Sequence, residues 1–125
     1  MNRRTFREML VKLVYSQILG GETPEEEVNE ELLAVFGQIQ EHYQDLDNII
    51  SENLSNYTID RLNYVDLAIF RVAVFEIKYQ KLPSNVVINE ALEITKKYSN
   101  LDDDQARKFN NKLLDKIKKY LEEKS

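Results

Sequence analysis

Cysteine is absent from the chain, which removes disulfides, thiolate metal ligands and cysteine nucleophiles, and which fits a reducing cytosol. Histidine occurs once, as His42 in an acidic stretch, and one imidazole builds neither a metal site nor a catalytic triad. Only three glycines and two prolines punctuate the 125 residues, so long helices are favoured over a many-turned sheet. Gly20-Gly21 follows a helical pattern rather than a strand, and neither a phosphate-cradling glycine loop nor an H-E-x-x-H pair is present. The acidic spacings match no calcium loop. No apolar run approaches the roughly 20 residues that cross a bilayer. The opening "MNRRTFREML" is charged where an export signal turns apolar, so a cytoplasmic location is expected. These absences point to a binding module without catalytic residues, cofactor or metal.

Basic residues are also missing from one region. Residues 20–60 carry eleven acidic side chains and no lysine or arginine, whereas residues 1–19 carry four basic against one acidic and residues 61–125 thirteen against ten. The net charge of −5 makes non-specific nucleic-acid binding weak, but two locally basic ends remain.

What is present reads as a single all-α domain of six or seven helices. A first helix runs from about Arg3 to Leu19, with Phe6, Met9, Leu10, Leu13, Val14 and Gln17 on its core side. Arg4, Glu8, Val11 and Tyr15 form a second line, in which Arg4 and Glu8 can pair and Tyr15 needs a neighbour from this domain or from a partner. Thr23 and Pro24 mark a helix start, after which Val28, Leu32, Val35, Phe36 and Ile39 face inward; Leu46, Ile49, Ile50 and Leu54 follow. From Tyr64 to Tyr79 the chain is apolar nearly all round, as suits the centre of a bundle. Glu76 shares a face with Val65, Ile69 and Val72, so it should be buried and structural, with Arg71 or a residue of the next helix as its cation. Val87, Ala91, Ile94 and Tyr98 then make a core stripe. In the last helix Asp102–Asp104 offer caps, Ala106, Phe109, Leu113, Ile117 and Tyr120 a core stripe, and Lys108, Lys112, Lys116 and Lys119 a basic flank.

Four stretches, in order, carry a family likeness. "NRRTFREMLVKLVYSQIL", "LSNYTIDRLNYVDLAIFRVAVFEI", "LPSNVVINEALEITKKYSN" and "KFNNKLLD" together resemble the NusB family of bacterial transcription antitermination factors over roughly 80 residues. The resemblance implies two small helical bundles packed across each other, with halves at residues 1–56 and 57–125. It implies pairing with the ribosomal small-subunit protein NusE, binding of boxA RNA, and action with other Nus factors on RNA polymerase. Carried over by position, Arg4 and Arg7 match the family's basic N-terminal segment, and Lys108 and Phe109 its RNA-side Lys-Phe. Tyr15 and Asp66 match positions at the protein-partner interface, and Asn89-Glu90 belong to a signature that serves packing and polar satisfaction. Lys112 replaces a family glycine and offers a charge for phosphate instead. The alternative is a helical adaptor that kept the protein-partner face and lost RNA recognition.

Overall fold

A computed structural model describes residues 1–21, 29–98 and 104–124. Those residues form six α-helices and one 3₁₀ turn, with no strand among them: α1 Arg3–Ile18, α2 Glu30–Glu41, α3 Tyr43–Asn53, the turn Ile59–Arg61, α4 Tyr64–Lys78, α5 Ser84–Tyr98 and α6 Asp104–Lys124. Thr23, Pro24, Val28, Asp102 and Asp103 lie outside the described residues, so the caps expected there are not among the observed ones. The caps observed are asparagines. Asn2, Asn29 and Asn63 each accept the backbone N–H three residues on at 2.8 Å, opening α1, α2 and α4.

Helix α4 is the axis of the molecule: α1, α2, α3, α5 and α6 all pack against it. Its apolar circumference explains this position, for eleven of its residues are buried, Glu76 included. Leu32, Phe36 and Ile39 of α2 and Leu46, Ile49 and Ile50 of α3 fill the core as their spacing predicts. Two helix ends need the left-handed backbone. Gly20 adopts it after α1 (φ +78°), which lets the Gly21 N–H reach the Ser16 carbonyl at 2.8 Å. Lys81 adopts it after α4 (φ +56°), where the Leu82 N–H closes on the Glu76 carbonyl at 3.1 Å.

Three inward assignments change. Val11 is core, not the outer line of α1, and it lines one interior space with Ala91 and Ile94 of α5. Phe109 is 40% exposed, while its neighbour Asn110 is completely buried. Tyr98 ends its stripe 37% exposed; Ile88 and Thr95 are buried instead.

Candidate nucleic-acid interface

Of the arginines in the basic N-terminal segment, Arg7 is folded inward while Arg3 and Arg4 stay exposed. Arg7 is buried, and its Nε donates to Glu76 Oε1 at 2.6 Å, with Arg3 Nη2 reaching Oε2 at 3.4 Å. Burial pushes the Glu76 carboxyl up, and the bond to Arg7 opposes that shift. Glu76 is buried as its spacing predicts, but its cations come from α1 rather than from Arg71 or the next helix. Arg71 instead makes a two-pronged bond to Asp47, 2.8 Å at each prong, with its guanidinium 4.4 Å from the Tyr43 ring centre. Arg7, expected on the RNA side, is placed in the interior, bonded to Glu76.

Arg4 stays at the surface, yet it too is engaged. Its Nε and Nη2 donate to the Glu90 carboxylate at 2.9 and 3.2 Å, joining α1 to α5, and this bond holds the Glu90 carboxyl below its ordinary range. Glu90 is therefore a polar strap between helices. The expected pairing of Arg4 with Glu8 does not occur. Glu8 accepts from Lys97 at 2.7 Å and from the Tyr98 hydroxyl, and burial and Glu8 together push the Tyr98 phenol up to about 12.

Asp66, expected at the partner interface, is buried. Asn110 Nδ2 bridges Asp66 Oδ1 and Thr95 Oγ1 at 3.1 Å each, tying α4, α5 and α6 together. Burial pushes the Asp66 carboxyl up, and no cation is bonded to it among the described residues. Asn110 Oδ1 is buried without a hydrogen-bond partner. Exposed near Asp66 on α4 is Tyr64, at 52%. Tyr15 is half-buried, packed against the core rim.

The start of α6 is different. Lys108 and Lys112 are exposed and make no ion pair among the described residues. Between them Phe109 stands with its ring centre 5.7 Å from that of Tyr57, tilted by 56°. The Tyr57 hydroxyl donates to the Arg61 carbonyl at 2.8 Å, which fixes the ring beside the 3₁₀ turn. Arg107 adds a further cation nearby. Below Phe109 a groove of about 120 Å³ runs between Lys112 and Lys116 on one side and Asn53–Ser55 on the other, and Lys116 Nζ donates to Ser55 Oγ at 2.9 Å. Sequence reasoning missed Tyr57, whose pairing with Phe109 joins residues 52 apart in the chain. A tyrosine in a polar turn was the available signal. Exposed rings flanked by free cations suit stacking on unpaired bases and contact with phosphates.

Arg7 sits at Glu76 and Asn110 at Asp66, which are about 15 Å apart along α4. Among the described residues no group of acids and histidines is arranged to hold a metal, and no helix is long and apolar enough to cross a membrane.

Similarity to known proteins bears on this geometry. The NusB family model matches residues 4–119. The transcription antitermination protein NusB of Bacillus cereus (strain B4264) is 36% identical over 133 aligned residues, covering 97% of this chain and all of the relative. The protein of the same description from Bacillus thuringiensis (strain Al Hakam) matches at the same identity and coverage. Among solved structures, T. maritima NusB superposes with a TM-score of 0.78 at 26% identity, covering 95% of this chain and 92% of the other. A chain from a structure described as a plectonemic RNA supercoil gives 0.84 at 27% identity, covering 98% of each.

Proposed function

The chain belongs to the NusB family, and from that premise we propose that it is an RNA-binding transcription antitermination subunit that pairs with ribosomal protein NusE on boxA RNA in the cytoplasm. The observation that carries the RNA part is the exposed Phe109–Tyr57 pair flanked by Lys108 and Lys112, cations with no carboxylate partner among the described residues. The likeness to a chain in a structure described as an RNA supercoil supports the same reading. The partner is proposed to meet the half-buried Tyr15 and the exposed Tyr64, with Asp66 shaping that surface from beneath.

One observation favours the adaptor reading instead. Arg7 is buried and Arg4 is held by Glu90, so the N-terminal cations offer RNA little free charge. A titration of boxA RNA with and without NusE separates the two. The RNA reading expects Phe109→Ala to weaken binding by about 1–3 kcal/mol, the worth of one base stacked on a ring. Neutralising Arg4, Lys108 and Lys112 together should reduce the salt slope by about 0.7 for each phosphate no longer neutralised. Unchanged affinity and unchanged salt dependence in both variants would leave the adaptor as the function.

A further inference from the structure

At the far end of α6 a second groove, about 300 Å³, opens between α6 and the end of α4. Its floor is aliphatic: Ile77, Leu82 and Leu121. Its rim carries four lysines against one carboxylate, Glu122. Two of the lysines have an ordinary explanation. Lys78 and Lys124 are the last residues of α4 and α6, where a cation complements the helix dipole, and Lys78 is also bonded to Asp45 at 2.6 Å.

Lys81 and Lys118 are not covered by that explanation. Lys118 lies well before the end of α6, and its Nζ donates to a neutral atom, Asn85 Oδ1, at 2.9 Å, a bond that leaves its charge available. Lys81 holds the left-handed backbone position at which glycine would be unstrained, and it forms no ion pair among the described residues. No aromatic ring lines the groove among the described residues, and Leu121 lies twelve residues, about 18 Å along α6, from Phe109. The groove is therefore separate from the RNA surface and lacks the stacking ring that single-stranded RNA wants.

We propose that this lysine-rimmed groove docks an acidic protein segment of a partner, its carboxylates meeting Lys81 and Lys118 and its aliphatic side chains filling the floor over Leu82 and Leu121. The inference is independent of RNA binding.

The test is a titration of the isotope-labelled full chain, followed by amide NMR, with a synthetic amphipathic peptide of glutamate on one face and leucine on the other. The same peptide with lysine for glutamate and an oligouridine RNA serve as comparisons. The glutamate peptide should shift the resonances of Lys81, Leu82, Lys118 and Leu121. Lys81→Gly, which relieves the backbone and so keeps the fold, should weaken it measurably, and Lys81→Glu with Lys118→Glu by at least about tenfold. The same variants should leave boxA titration at Phe109 and Lys112 unchanged. The proposal is overturned if the lysine peptide binds equally well or if Lys81→Gly has no effect. It is also overturned if oligouridine shifts the groove more strongly, or if the shifts arise on concentrating the chain alone, which would make the occupant RNA or a second copy.

Discussion

Glu76 and Asp66 are two buried carboxylates of one helix, and they are held by opposite means. At the Glu76 end Arg7 of α1 turns inward and the exposed Arg3 reaches the same carboxylate at 3.4 Å, so cations that look available in the sequence are engaged by the fold. At the Asp66 end a neutral amide, Asn110, does the holding, and the lysines beside it on α6 remain outside. Where a protein compensates a buried acid with a charge, that charge is lost to ligands; where it uses an amide, the neighbouring cations stay free. The local basicity of a segment therefore does not measure how much positive charge it presents.

The strongest way to break this contrast is Arg7→Met. It strands Glu76, which has 0% exposure, with only the longer contact to Arg3, and it should cost about 3–5 kcal/mol of stability in urea unfolding. Combining it with Glu76→Leu should restore most of the loss, because an apolar pair of similar volume needs no compensation. A loss within error for Arg7→Met would mean that Glu76 is protonated and unpaired in the folded state. Asn110→Ala is the matching break at the other end. It removes the donor shared by Asp66 and Thr95, and should cost about 1–3 kcal/mol. Its orphaned Oδ1 is removed at the same time, which places the effect toward the low end of that range. A loss as large as that of Arg7→Met would make the two ends equivalent and end the comparison.

Much of this was legible in the residues, and the limit has a geometric cause. The all-round apolarity of residues 64–79 gave α4 its central place, and the spacing of Glu76 from Ile69 and Val72 gave its burial. Periodicity assigns a face but not the helix that covers it, so Arg7 could not be named as the partner of Glu76. The same limit misplaced Val11, which lines one interior space with Ala91 and Ile94 of α5. Phe109 and Asn110 differ by one position, or about 100° of helix, and hydrophobicity favoured the ring for the core. The fold chose the amide, because Asp66 and Thr95 both face it there. Tyr57 was missed because a ring contact across 52 residues leaves no periodic trace.

A smaller effect sharpens the picture at the Glu76 end. Lys81 sits where an L side chain meets its own backbone, so Lys81→Gly should raise stability by up to about 1 kcal/mol, the residue's strain less the extra chain entropy of glycine. A lower melting temperature in calorimetry would show that the lysine stem packs on Leu82 or Leu121 firmly enough to outweigh the strain.

The smallest effect is a slope rather than an offset, and it belongs to Asp66. Burial raises its carboxyl above the ordinary value of about 3.9. Between that value and the raised one, the folded chain binds more protons than the unfolded chain, so this group's contribution to stability falls as pH rises through the window. Below the window the neutral acid is equivalent to an amide, and above it the wild type carries a buried charge with no bonded cation among the described residues. Asp66→Asn removes that titration. Stability measured by urea unfolding across the window should therefore decline with pH more in the wild type than in Asp66→Asn, with the two closest at the acid end. The carboxyls of Glu8 and Glu90, held down by Lys97 and Arg4, tilt both proteins the other way and cancel in the difference. If the difference runs the opposite way, with Asp66→Asn losing ground as pH rises, then the ionised carboxylate is the favoured form. Asn110 would then be compensating the buried charge at Asp66 in full.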